Sequence, residues 1–336
     1  MKKLSLIFPP PSEEYADVVW SVKDAPSPPQ TAPAELGAYV KQYAAAPITV
    51  QGINPQTIRN GQIRYHTIDE ITQLCSDADI VGLTCLYHNQ QTAQEIAQAI
   101  KKYDQKKIVI MGGQNVSNKW MARVILKKNP AVDYVVLGDG EDALVALVNN
   151  QPIHQIPNLA YRNNNTILFT PRESVNLNKI PLWDYSDIVD ANIILEAHDS
   201  RTPRYQELVQ QYKGRTLGEI AIFSQRGCAK AFGEIGKMKG ACNFCTSSGS
   251  SNGKMHPDKF WQQVELLYSQ YGIKDYFLAD NVFGIDFDQV QQFSISKKLF
   301  TIPDDIQFRA YTYPSIILSP DGKKISHNLK ELGINN

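Results

Sequence analysis

Apolar residues fall in short continuous runs through the first half of the chain, with amphipathic stretches between them. Residues 3–8 (KLSLIF), 78–86 (ADIVGLTCL), 106–113 (KKIVIMGG) and 132–141 (VDYVVLGDGE) are such runs, and 48–51 (ITVQ) is a shorter one. Residues 34–44, 92–103, 118–129 and 142–150 carry apolar side chains at helical spacing. Residues 67–75 add a helix whose Thr67 and Glu70 form a capping-box pattern. Strands that are apolar throughout, separated by helices, predict a parallel sheet covered on both faces. Right-handed crossovers make it a doubly wound α/β sheet, whose ligands lie beyond the carboxyl ends of the strands. Those ends are Pro9-Pro10-Pro11, Tyr87-His88-Asn89, Gly112-Gly113-Gln114-Asn115 and Gly138-Asp139-Gly140-Glu141. Glycine there either lets the backbone approach a ligand or only makes a tight turn, and neither GG nor GDGE is a strict nucleotide fingerprint. His88 reads as a polar loop residue.

From 151 to 219 the pattern weakens. Residues 158–171 predict a β-hairpin over an Asn-rich turn, and 179–185 a linker anchored by Trp183. Alternation then resumes. Residues 220–228 (IAIFSQRGC) form a strand, and 256–272 a helix with Pro257 in its first turn and Phe260, Val264, Leu267 and Tyr271 on one face. A strand over 273–286 runs into Asp280-Asn281, a helix covers 286–299, a strand with Arg309 inside it covers 306–314, and a helix covers 325–333. That order begins an α/β barrel, whose active groups sit at the carboxyl ends of strands. The expected division is 1–150 for the doubly wound domain, 151–219 for a linker with a hairpin, and 220–336 for the partial barrel.

Composition narrows the class. The chain has 336 residues, 43% hydrophobic and 20% charged, as expected of a globular protein with about two domains. Lys+Arg and Asp+Glu are both 34, which argues against a dedicated nucleic-acid binder. No run reaches the ~18 apolar residues of a membrane span. The N-terminal MKKLSLIFPPP is too short in its apolar part for a signal peptide, so a cytoplasmic protein is expected. Five cysteines fit a reducing compartment; Cys75 and Cys85 stand alone, and Cys228, Cys242 and Cys245 cluster. Soft sulfur ligands select zinc, copper(I) or iron–sulfur clusters. Three thiolates leave open a position that a structural zinc site or an iron–sulfur cluster normally fills with a fourth protein ligand.

The sequences QRGC, CNFC and the later FLADNVF make residues 220–336 resemble a radical S-adenosylmethionine enzyme. The first half, with IVGLTCL, the GG after a strand, DYVVLGDGE and the NLAYRNN hairpin, resembles the cobalamin-binding Rossmann-like domain that precedes such cores. The resemblance implies a TIM-type barrel in which Cys228, Cys242 and Cys245 hold a [4Fe–4S] cluster and S-adenosylmethionine occupies the open iron. It implies Phe244 near the adenine, Asp280 and Asn281 near the methionine or ribose end, and Arg309 as a candidate for the carboxylate. Thr84, Gly112, Gly113, Gly138 and Glu141 would line cobalamin. An external electron donor and a small-molecule or peptide substrate are implied as partners, with methyl transfer to an unreactive carbon, or a related rearrangement or ring closure, as the reaction. Bland alternatives stand beside these roles: a strand-end cap for Asp280, a routine strand residue for Thr84, and for Arg309 an ion pair with an acidic neighbour. For the whole chain the alternatives are a non-catalytic cobalamin or cluster module and a zinc protein. The chain departs from the family pattern in three ways. Residues 229–241 separate its first two cysteines, where the family has about three residues; it lacks an Asp-x-His-x-x-Gly run that would supply a histidine to cobalt; and it ends at ELGINN, where a further barrel strand is expected, as if truncated.

Overall fold

The computed structural model describes residues 1–15, 27–59, 62–211, 219–228, 253–284, 287–313, 317–318 and 320–334. Contacts group them into two compact units, residues 1–175 with 183–194, and residues 176–182 with 195–336.

The first unit runs β1 (Lys2–Ile7), α1 (Thr31–Tyr43), β2 (Ile48–Ile53), β3 (Gln56–Arg59), β4 (Gln62–Tyr65), α2 (Ile68–Leu74), β5 (Ile80–Thr84), α3 (Gln90–Tyr103), β6 (Ile108–Gly112), α4 (Lys119–Lys128), β7 (Tyr134–Val136), α5 (Glu141–Val148), β8 (Leu159–Asn163) and β9 (Thr166–Phe169). Seven strands form one sheet in the order β2-β1-β5-β6-β7-β8-β9. The first five are parallel; β7–β8 and β8–β9 pair antiparallel. Successive residues of each parallel strand feed opposite cores. Leu4, Leu6, Ile80, Ile110 and Val136 pack with Val40 of α1 and with Ala143, Leu144 and Leu147 of α5. Ile7, Val81, Leu83, Val109, Met111 and Val135 pack with Ile71 of α2, Ile96 and Ile100 of α3, and Ile125 and Leu126 of α4. Burial on both faces is why these strands are apolar without alternation.

Three features differ from the sequence expectation. The hairpin read as part of a linker is the far edge of the main sheet. A second hairpin, β3–β4, follows β2 as a separate two-stranded sheet. Residues 183–194 return to the β2 edge, where Gly52 N donates to Asp187 O at 2.8 Å and Val189 N to Gly52 O at 2.9 Å. Trp183 is buried there edge-on to Tyr185, with ring centroids 5.5 Å apart. The capping box of α2 is present as read, and the Arg64 guanidinium grips Glu70 with both nitrogens, which holds that carboxyl well below its usual range.

The second unit contains α7 (Pro203–Gln211), preceded by the short α6 (Ala191–Glu196), then β10 (Ile220–Ile222), β11 (Gln225–Arg226), β12 (Gly253–Lys254), α8 (Pro257–Tyr271), β13 (Asp275–Leu278), α9 (Phe287–Lys297), β14 (Gln307–Ala310) and α10 (Gly322–Glu331). β10, β13 and β14 are parallel and lie in chain order, the arrangement of successive β/α units. Ile334 makes an isolated parallel bridge to Phe308 beyond β14. His256 caps the α8 N-terminus ahead of Pro257, and Gly272 ends the helix in the left-handed region at φ 64°. The core is aromatic: Phe260, Trp261, Tyr276, Phe293 and Phe308 interlock at centroid separations of 5.1–5.9 Å. The Trp261 indole N–H is satisfied by Phe293 O at 2.9 Å.

Arg162 on β8 donates to the backbone oxygens of Leu126 (2.9 Å), Asn129 (2.7 Å) and Val132 (2.6 Å), closing the C-terminus of α4. Replacing it with alanine removes three charge-assisted bonds, and a loss of about 2 kcal/mol is expected. The check is a lower denaturant midpoint of the full chain with an unchanged slope.

Candidate functional site

Two groups of sequence-selected residues lie at carboxyl ends of strands, one in each unit. In the first unit Thr84 ends β5 and stands in register with Gly112, which ends β6. Gly113 follows at φ 106°, and a Cβ on it would lie 2.8 Å from Cys85 O, so no side chain fits that turn. Cys85 N donates to Gly112 O, and Asn115 N returns to Cys85 O at 3.2 Å, locking the exits of β5 and β6 together. Gly138 follows the end of β7 at φ 99°; a Cβ there would meet no atom within 4 Å. The main chain at this point is therefore open on the side where a side chain would project. Glu141 begins α5 and is buried, where the helix N-terminus favours a carboxylate.

Side chains that sequence reasoning passed over hold this rim. Asn158, at φ 61°, donates to Asp139 O at 2.8 Å and Glu173 O at 2.9 Å and accepts from Glu173 N, fixing the 138–141 loop. Asn89 accepts from Leu86 N at 2.7 Å and donates to Pro9 O at 3.3 Å, tying the β5 exit to the proline run after β1. Asn158 opens the NLAYRNN segment and Asn89 follows a strand end, so their positions were visible but their partners were not. His88 lies in the turn after β5: its Nε2 is buried, its ring lies 6.4 Å from Phe8, and burial lowers its pKa. Cys75 and Cys85 are core thiols, pushed by burial up to about 11 and about 12. The exits of β5, β6 and β7 thus form a main-chain rim that is open at Gly138, and the Nε2 of His88 is buried with no hydrogen-bond partner.

In the second unit Cys228 follows β11 behind Gly227, which turns at φ 87°, and the residue is 7% exposed. Asp280 lies beyond the end of β13 and is 1% exposed. Its carboxylate accepts from Ser224 N at 2.8 Å, Ser224 Oγ at 2.5 Å and Gln225 N at 3.1 Å. Gln225 in turn donates through Nε2 to Val282 O. The carboxylate thus fixes the turn that carries the chain from β10 to Cys228. These three donors hold it as a cap on the turn at the strand end. Asn281 is exposed beside it. Arg309 pairs with Glu219 at 2.5 Å and lies 5.2 Å from the Phe277 ring centre. Cys242, Cys245 and Phe244 lie outside the described residues. Among the described residues no cluster of three His, Cys, Asp or Glu side chains forms a metal site, and no helix is long and apolar enough to cross a membrane.

Burial raises the Asp280 pKa from 3.8 to about 6, against the opposing effect of its three donors. Because the folded value is the higher one, this group's contribution to stability is fully present below about pH 4 and is lost as pH rises through about 6. Asp280→Asn is expected to abolish that pH dependence. Asp280→Ala strands buried donors and is expected to cost about 2–3 kcal/mol. Urea titrations of both variants at pH 4.5 and 7.5 check this; an Asn variant that keeps the full wild-type pH slope excludes Asp280 as its source.

Comparison with known proteins places these observations. Residues 41–148, which run from the end of α1 through α5, match the family model of the B12 binding domain. The chain is also 25% identical over 179 residues to an anaerobic magnesium-protoporphyrin IX monomethyl ester cyclase of Synechocystis sp.. That alignment takes in 52% of this chain and spans 30% of the length of the cyclase. The first unit is thus an α/β domain with a mostly parallel seven-stranded sheet that carries a B12-binding-domain match at its centre.

Proposed function

We propose that the chain is a cobalamin-binding radical S-adenosylmethionine protein, with cobalamin on the rim of the first unit and a [4Fe–4S] cluster on Cys228, Cys242 and Cys245 of the second. The B12-binding-domain match carries the cobalamin half, because the glycine turns at Gly112-Gly113 and Gly138 fall inside it. In this reading Thr84, Gly112, Gly113 and Gly138 present the surface on which the macrocycle lies, and Asn158 and Asn89 keep that surface in shape. Glu141 supports the loop from the start of α5. Support for the cluster half comes from Cys228 at the carboxyl side of parallel strands, on a turn fixed by Asp280, with CNFC following in sequence. When bound, the cluster supplies the electron that splits S-adenosylmethionine into methionine and a 5′-deoxyadenosyl radical, and cobalamin supplies a carrier for a methyl group. The second unit is then the first part of a TIM-type barrel.

On the substrate, methyl transfer to an unreactive carbon is what the family resemblance implies. The similarity to a protoporphyrin ester cyclase favours a second reading, ring closure on a tetrapyrrole. Product masses separate the two: a gain of one methyl, or oxidation with loss of hydrogen and no added carbon.

The test is anaerobic reconstitution of the full chain with iron, sulfide and hydroxocobalamin. Retention of cobalamin through gel filtration and a reduced-cluster resonance that changes on adding S-adenosylmethionine are expected. Protein that holds neither group sinks the proposal; protein that holds cobalamin alone reduces it to a cobalamin module.

Gly138→Leu sharpens the cobalamin half. Its φ makes a side chain unfavourable by about 1 kcal/mol, yet a Cβ there would meet no atom within 4 Å. Stability is therefore expected to fall little while cobalamin affinity falls tenfold or more. Unchanged affinity places the macrocycle elsewhere.

A further inference from the structure

The exit of β14 brings another side chain to Cys228. Phe283 N donates to Tyr311 O at 2.7 Å, so the chain leaving β14 runs beside the chain leaving β13. Tyr311 packs edge-on to Phe277 at 5.5 Å between centroids. Two residues further on, the Tyr313 hydroxyl lies 3.8 Å from the Cys228 sulfur, within reach of a bond to that large, soft atom. Thiol and phenol each have a proton to give, but a thiolate has none, so with the sulfur ionised the phenol must be the donor.

We propose that Tyr313 is a positioning residue that donates its O–H to the Cys228 sulfur when that sulfur holds the cluster, and so raises the cluster's reduction potential. This rests on the reading of Cys228, Cys242 and Cys245 as cluster ligands. Reduction adds negative charge that is shared with the ligating sulfurs. A hydrogen bond to sulfur therefore stabilises the reduced form more than the oxidised one, and such bonds are among the known levers on iron–sulfur potentials. The effect is strengthened where the sulfur is screened from water, as the Cys228 side chain is. The bond also holds the β14 exit against the cysteine turn, so the third parallel strand is tied to the first through the ligand itself.

The test is a potentiometric titration of the reconstituted full chain, followed by electron paramagnetic resonance, for wild type, Tyr313→Phe and Tyr311→Phe. Tyr313→Phe deletes one hydroxyl and keeps the ring. Its iron and sulfide content is expected to match wild type. At the wild-type midpoint its ratio of reduced to oxidised cluster is expected to fall about fivefold, the worth of one hydrogen bond. Tyr311→Phe is expected to leave the ratio alone. If Tyr313→Phe takes up less cluster, double resonance on the wild type in D2O decides: a strongly coupled exchangeable hydron that Tyr313→Phe lacks in its remaining cluster supports the bond, and identical spectra overturn it. Equal midpoints with full cluster in both overturn the role of Tyr313 and leave the cluster reading standing. Wild type that assembles no cluster overturns the cluster reading, and this inference with it.

Discussion

A parallel sheet covered on both faces leaves little room along its strands for polar groups, and the rest of the first unit follows from that. Leu4, Leu6, Ile80, Ile110 and Val136 belong to one core, and Ile7, Val81, Val109, Met111 and Val135 to the other. Chemistry is thereby confined to the strand ends. At the carboxyl ends of β5, β6 and β7 the chain must also reverse sharply into a helix, which is where Gly113 and Gly138 take left-handed backbone angles. One requirement, burial, thus produces the exposed main-chain rim that a cofactor can use.

The second unit meets a similar requirement with a charge. Its β10 ends after three residues, and the amides of Ser224 and Gln225 in the turn that follows need acceptors. Asp280 satisfies them from the neighbouring strand exit, at the expense of burying a carboxylate. Three internal donors make that burial tolerable, and the raised pKa reflects desolvation that they only partly offset. The aromatic layer of Phe260, Trp261, Tyr276, Phe293 and Phe308 packs α8 and α9 against β13 and β14. Polar fixation at the strand exits and apolar packing beneath them divide the work of holding this unit.

Legibility in the sequence followed the range of the interactions. Strands with two buried faces and helices with capping boxes, such as Thr67–Glu70, are local patterns, and they stand within a few residues of where the pattern placed them. The β3–β4 hairpin was missed although Asn60-Gly61 between two alternating runs is a strong turn signal; its strands are too polar to look like part of a core. The β8–β9 hairpin was seen, but its membership of the main sheet depends on pairing Val136 with Leu159, which no local pattern reveals. At the candidate sites residue types were readable and partners were not. Asp280 stood out by its position at a strand end, while its bonds to Ser224 and Gln225 join residues far apart in the chain. Arg309 stood out by its charge, yet Glu219 sits across two strands from it. Tyr313, in a run of alternating tyrosines, carried no signal at all.

Arg162 has a consequence for how the first unit opens. Its guanidinium belongs to an antiparallel strand near the edge of the sheet, but its three acceptors are the last carbonyls of α4 and the turn before β7. The hairpin cannot peel away without uncapping the helix, and the helix cannot fray from that end while the hairpin is in place. Edge strand, helix end and intervening turn therefore open as one cooperative block. The stretch that begins where the B12-binding-domain match stops is energetically part of that domain.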